Sequence, residues 1–248
     1  MIKRKSGISC RSQRNGIHLK YRKNWRNSWV SGKSVIVRSI LEVRMKTLFL
    51  SSNGLNENTG KIFWDTINKA PKDTKVIFVP SAATGNDGAR EGIALCAERL
   101  MNMGIPFGNI LIYELSLLIS EGYARTYSGY IKDIPAPLRL MTAEELGEYD
   151  AIVFGGGDAA LLLDQIQRTG LADHLKQAVE NGLVYLGISA GSMAAAGNLP
   201  EGLGYLDNPV IPHAETGIPC GEVPADGPIE LADGQVILIR GDQKEIIS

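Results

Sequence analysis

The sequence predicts an α/β fold, a doubly wound and mostly parallel sheet with helices on both faces. Three observations predict it. From Met45 onward, short apolar runs alternate with stretches of helical spacing. The runs are apolar throughout, as suits strands buried on both faces. Glycine-rich turns close two of them, at Phe154-Gly155-Gly156-Gly157 and Leu186-Gly187-Ile188-Ser189, where a strand passes into a helix.

Thr47–Leu50 is a first strand, succeeded by the turn-rich SSNGLNENTG, and 61–69 is compatible with a helix. Lys75–Val79 is a second strand, closed by Pro80, which cannot continue a ladder. Residues 88–103 carry Ile93, Leu95, Ala97, Leu100 and Met101 at helical spacing. Asn109–Glu114 is a third strand and Asp150–Phe154 a fourth. Helices are expected over 159–167 and 172–180, a fifth strand over 183–186 and a late strand over 234–240. The connection 115–148 holds Tyr123, Tyr127, Tyr130, Pro135 and Pro137. It is too long to be idle and is readable as a lid or as a β-excursion at the sheet edge.

Composition divides the chain. Twelve of the 26 Lys/Arg and one of the 27 Asp/Glu fall in residues 1–44, a net charge of +11 against -12 for the rest. Residues 1–44 are therefore expected to be a basic extension, disordered or not native if the chain starts at Met45, and 45–248 a single α/β domain. Arm-like roles for the basic stretch, on nucleic acid or a membrane surface, lack any base-reading motif, and a nucleic-acid partner is not expected. With 44% apolar residues the domain can bury a sizeable core. No apolar run approaches the roughly 20 residues of a membrane span. Cys10, Cys96 and Cys220 are odd in number and without CxxC spacing, which argues against a disulfide framework or structural zinc. A reducing, cytoplasmic setting fits.

The sharpest chemical signal is Gly187-Ile188-Ser189-Ala190-Gly191 between the fifth strand and the small-residue run Ser192–Ala196. This is the G-x-S-x-G elbow in the strand–turn–helix context it requires. The turn is tight enough to demand glycine two residues before and two after the serine. Ser189 then stands at the carboxyl edge of the sheet as a candidate nucleophile, with the Ala190 amide placed for an oxyanion. Outside the basic stretch the bases on offer are His174, which reads as a solvated helix residue, and His213, held after Pro209 and Pro212. His213 is thus the candidate base. A carboxylate should orient the imidazole. The order Ser, acid, His would require Glu201 or Asp207, and Asp207 leaves little room before His213, so the acid is sought among Glu215, Glu222, Asp226, Glu230 and Asp233. Gly155-Gly156-Gly157-Asp158-Ala159-Ala160 satisfies a loose G-x-G-x-x-A, but no acid ends the next strand as dinucleotide binding asks. A second oxyanion donor from Gly156 or Gly157 is the preferred reading. The expected oxyanion and substrate-binding set is Gly156, Gly157, Asp158 and Ala190.

These residues resemble a known family. MKTLFLSSNG at 45–54, VIFVPSAA at 76–83, YDAIVFGGGDAALLLDQIQRTGL at 149–171, LVYLGISAGS at 183–192 and GLGYLDNPVIPHAE at 202–215 are similar to the peptidase E family of α-aspartyl dipeptidases and, more distantly, cyanophycinases. The resemblance covers most of 45–241. It implies a glutamine-amidotransferase-like three-layer sandwich and a Ser-His-acid triad of Ser189, His213 and Asp233. It also implies hydrolysis of short peptides through an acyl-enzyme, with N-terminal aspartate as one substrate class, and neither metal nor cofactor. The partner it implies is a small peptide, and the sequence leaves monomer and homodimer both open. Two features depart from the family. Only 20 residues separate His213 from Asp233, with GIPCGEVPADGP where a helix is expected, and 115–148 is long. Arg125, Arg139 and Arg168 could read an aspartate by charge alone. The alternative to a peptidase is a catalytically impaired protein that binds a small metabolite on the same scaffold.

Overall fold

The computed structural model describes residues 45–85, 87–119 and 139–248. The basic stretch 1–44, most of the 115–148 connection and Arg125 lie outside the described residues. The strands are β1 (Thr47–Ser51), β2 (Val76–Val79), β3 (Ile110–Ile112), β4 (Ala151–Phe154), β5 (Val184–Ile188), β6 (Val210–Ile211), β7 (Gly221–Glu222), β8 (Ile229–Glu230), β9 (Val236–Arg240) and β10 (Gln243–Ile247). Eight of them form one sheet in the order β3-β2-β4-β5-β1-β9-β10-β7, and β6 and β8 pair separately.

The first five strands run parallel, while β9 is antiparallel to β1 and β10 to β9. Alternate residues of each strand enter opposite cores. Leu48, Leu50, Ile77, Ile152, Phe154, Tyr185 and Ile237 face the helices Ala159–Thr169, Leu171–Glu180 and Ala190–Ala195. Phe49, Val76, Phe78, Val153, Leu186 and Leu238 face Glu57–Ile67 and Ala89–Asn102. The result is the three-layer α/β sandwich expected from unbroken apolar runs, because a strand covered on both faces has no solvent side to alternate toward.

The parallel order fixes where chemistry can gather. β1, β2, β4 and β5 all end at one edge of the sheet, so Ser52, Pro80, Gly155 and Ser189 open there. β9 runs the other way, with Val236 opposite Ser51. Its first residues, and Asp233 just before them, arrive at the same edge.

The His213–Asp233 segment lacks the helix expected in the family. It is built instead from side chain to backbone bonds. Asn208 Nδ2 donates to the carbonyls of Pro224 (3.2 Å) and Gly227 (2.9 Å). Gln235 donates through Nε2 to the Ile218 carbonyl at 2.7 Å and accepts at Oε1 from the Ala232 N–H at 2.9 Å. Ile229, Leu231 and Val210 are buried beneath. Twenty residues without a helix thus still fix both ends of the segment.

At the opposite edge, buried Asp150 accepts the Lys75 N–H at 2.9 Å through one oxygen and the Lys69 ammonium at 2.6 Å through the other. Lys69 is half exposed, so the ion pair itself contributes little. The amide, left without its acceptor, is the larger loss. Asp150→Ala is expected to cost about 1–3 kcal/mol. In thermal unfolding followed by circular dichroism, the midpoint should fall by roughly 2–4 °C per kcal/mol; an unshifted midpoint would contradict this account of the edge.

Candidate active site

The turn after β5 is sterically determined. A Cβ on Gly191 would lie 2.5 Å from the Phe154 carbonyl oxygen, and one on Gly187 would lie 2.7 Å from the Ser192 nitrogen. Both are closer than real Cβ contacts, so only glycine admits the approach. Between them Ser189 adopts φ 49° and ψ -104°. Backbone in such sparsely populated regions costs on the order of 1–3 kcal/mol and persists only where its surroundings impose it. Here the Ser189 N–H donates to the Ser51 carbonyl at 3.0 Å. The Ser192 hydroxyl donates to the same oxygen at 2.8 Å, and the buried Tyr185 hydroxyl donates to the Gly191 carbonyl at 2.7 Å.

His213 lies across the edge from this turn. Its Nε2 is 3.1 Å from Ser189 Oγ, and its Nδ1 is 2.9 Å from Asp233 Oδ1. An ionised carboxylate only accepts, so Nδ1 carries the proton and Nε2 is left to accept the serine hydroxyl. His213 itself sits at φ 60°. Its N–H donates to Ser52 Oγ at 2.7 Å, and Ser52 Oγ donates in turn to Asp233 Oδ1 at 3.1 Å. Asn53 Nδ2 donates to Asp233 Oδ2 at 3.2 Å. These bonds hold the Asp233 carboxyl below the usual carboxylate range. The His213 bond is the largest cause, burial opposes it, and Ser52 and Asn53 add to the lowering. Among the acids weighed from sequence, Asp233 is the one bonded to His213, while Glu222 and Glu230 sit in β7 and β8.

The glycine loop after β4 forms the facing wall. Gly155 N–H donates to the Val79 carbonyl and Asp158 N–H to the Ala82 carbonyl. The amides of Gly156 and Gly157 lie between these and have no acceptor among the described residues. Gly157, at φ 139°, passes so close to Ala82 that a Cβ would fall 2.1 Å from its carbonyl oxygen. A Cβ on Gly156 would stand 3.5 Å from that of Ser189. Asp158 has a structural part in this loop. Its Oδ1 accepts the N–H groups of Ala160 (2.8 Å) and Leu161 (3.0 Å), which makes it the N-cap of the helix Ala159–Thr169. Ala190 is the first helical residue after Ser189, where an N–H has no acceptor within its own helix.

A cavity of about 240 Å³ opens onto Ser189, His213 and Gly155–Gly157, walled by Phe78, Pro80, Ile93, Leu95, Cys96 and Arg99. Burial pushes the Cys96 thiol up to about 11, so at neutral pH it stays protonated and is no rival nucleophile. Arg139 is bound to Glu145 and Arg168 to Asp164 (3.3 Å), and neither lines the cavity at Ser189. Sequence reading missed Ser52, Asn53 and Arg99. The signal for the first two was their position, directly after β1 at the carboxyl edge.

Residues 131–217 match the model of peptidase family S51. A peptidase E of Streptomyces coelicolor is 48% identical over 54 residues, 22% of this chain and 22% of that protein. An uncharacterised peptidase of Pasteurella multocida is 34% identical over 65 residues, 26% of this chain and 31% of the relative. The chain thus spans less than a third of the length of these curated relatives. Two solved structures share the fold. One, from Listeria monocytogenes and assigned to peptidase E, has a TM-score of 0.54 at 20% identity, covering 82% of this chain and 98% of that one. The other, a peptidase from an acI-B1 actinobacterium, has a TM-score of 0.55 at 18% identity, covering 83% and 89%. Together these matches bear out the resemblance to the peptidase E family and the α/β sandwich. No helix among the described residues is long and apolar enough to cross a membrane.

The Asp233 network has a definite sign with pH. A carboxyl whose folded pKa is depressed contributes stability above its unfolded value, near 3.9, and loses it as pH falls through the lower folded value. Removing a donor should bring the folded value back up. In a carbon-13 carboxyl titration, Ser52→Ala and Asn53→Ala are each expected to titrate Asp233 at higher pH than the parent. An unchanged titration would show that these bonds do not hold the acid.

Proposed function

We propose that the chain is a serine peptidase acting on short peptides. The observation that carries this reading is the bonded series Ser189–His213–Asp233, at 3.1 and 2.9 Å, with its serine on a strained elbow. The likeness to peptidase family S51 over 131–217 supports it, since that segment contains both the elbow and His213.

In this reading His213 Nε2 takes the hydroxyl proton as Ser189 Oγ adds to the scissile carbonyl. The Asp233 carboxylate keeps the imidazole in the tautomer that can do so, and stabilises the imidazolium that forms. Negative charge develops on the carbonyl oxygen. The Ala190 amide and the unbonded amides of Gly156 and Gly157 are the donors at hand. One such donor typically contributes about 100- to 1000-fold in rate. The tetrahedral intermediate collapses as His213 returns its proton to the leaving amine, and an acyl-enzyme on Ser189 remains. Water, deprotonated by His213, then releases the acid. Every step uses side chains and amides of this chain.

The test is hydrolysis of an X-Leu dipeptide panel in which X is Asp, Glu, Asn, Ala and Leu. Ser189→Ala and His213→Ala are each expected to lower kcat by about 10⁴- to 10⁶-fold. Asp233→Asn is expected to lower it by about 10⁴-fold, because an amide can hold the ring in the wrong tautomer. Turnover that survives in Ser189→Ala would refute the mechanism. A folded parent protein that binds dipeptides and cleaves none would favour the metabolite-binding alternative.

A further inference from the structure

Two cavities share part of their wall along the helix Ala89–Asn102. One, about 240 Å³, is the cavity at Ser189. The other, about 370 Å³, continues toward Leu55, Leu100 and Met103. Asn53, Cys96, Arg99 and Ile188 line both. Among the described residues, Arg99 is the one lysine or arginine in either wall.

Arg99 is not spent on the fold. Its Nη1 makes two long bonds, 3.5 Å to the Asn53 carbonyl and 3.4 Å to Asn53 Oδ1. It pairs with no carboxylate among the described residues. A guanidinium carries five N–H donors in a planar fork, so most of its capacity is unused. The wall around it includes Phe78, Ile93, Leu95 and Ile188, and Arg99 itself is exposed, so its donors can be reached from solvent.

Asn53 links the cation to the reacting groups. Arginine only donates and a carboxylate only accepts. The Asn53 amide must therefore turn its oxygen to Arg99 and its nitrogen to Asp233, as it does. An unbroken series runs from Arg99 through Asn53, Asp233 and His213 to Ser189.

We propose that Arg99 is the specificity-determining residue of this site and binds a carboxylate of the peptide substrate. The inference rests on the peptidase reading of Ser189. A planar carboxylate is the group a guanidinium fork grips with two parallel bonds. Two parts of a short peptide can supply it: an acidic side chain before the scissile bond, or the free C-terminus after it. Asn53 is the tether that holds the fork at the cleft.

The experiment reads binding, so it does not depend on turnover. Ser189→Ala protein is titrated calorimetrically with two pairs of dipeptides, Asp-Leu against Asn-Leu and Ala-Leu against Ala-Leu amide. In one pair the carboxylate member should bind about 10- to 100-fold more tightly, and that pair identifies the source. Adding Arg99→Gln should abolish the difference, with the neutral member bound as before, and Arg99→Lys should restore part of it. Equal binding within both pairs, or a carboxylate preference that survives Arg99→Gln, overturns the proposal. The Ser189 reading fails separately, if Ser189→Ala still hydrolyses the panel.

Discussion

The site depends on one carbonyl oxygen, that of Ser51 at the end of β1. It accepts the Ser189 N–H at 3.0 Å and the Ser192 hydroxyl at 2.8 Å, so the elbow is stitched to the neighbouring strand at its tightest point. The next two residues of the chain bind the other members of the site. Ser52 joins the backbone of His213 to Asp233, and Asn53 takes the second oxygen of that acid. Serine, histidine and aspartate come from three distant parts of the chain. Their common reference is the turn after β1, which is rigid because β1 is paired on both sides.

Two unfavourable backbone conformations lie within this network, at Ser189 (φ 49°) and His213 (φ 60°). Each would relax if it could. Ser189 is restrained by glycine contacts that leave no room, and His213 by its N–H bond to Ser52. The cost of both is offset by the buried, unstrained sheet behind them, where Leu48, Ile77, Ile152 and Tyr185 are fully enclosed. Strain concentrated at a site and stability supplied elsewhere is the pattern expected when a side chain must be aimed rather than packed.

Much of this is legible in the sequence because the strongest constraints are steric. The strands buried on both faces leave continuous apolar runs, and the glycines at 187, 191 and 157 mark the places where a Cβ has no room. β10 leaves no such trace, since Gln243-Lys244-Glu245 is polar and the strand gains its order from pairing with β9. β7 and β8 are two residues each, too short for any period. Asp158 sits beside the expected oxyanion donors, yet an aspartate just before a helix is also the ordinary N-cap, the role it fills. Ser52 and Asn53 are marked only by their place after β1, and Arg99 carries no pattern of its own. An arginine on an amphipathic helix looks the same in sequence whether it faces solvent or a cleft.

The acid shows how topology can do the work of a missing element. A carboxylate reaches the carboxyl edge of a parallel sheet either at the end of a parallel strand or just before the start of an antiparallel one. β9 offers the second route, and Asp233 lies three residues ahead of Val236, which faces Ser51. The length of the segment leading there is therefore free to vary, provided its two ends are held. Here Gln235 bonds the chain at both Ile218 and Ala232, and Gly217 allows the approach, since a Cβ there would fall 1.6 Å from Gln235 Oε1. A helix would bury more apolar surface over the same distance. The polar staple needs fewer residues, and it leaves Asp233 half exposed beside Asn53, within reach of the cleft that Arg99 lines.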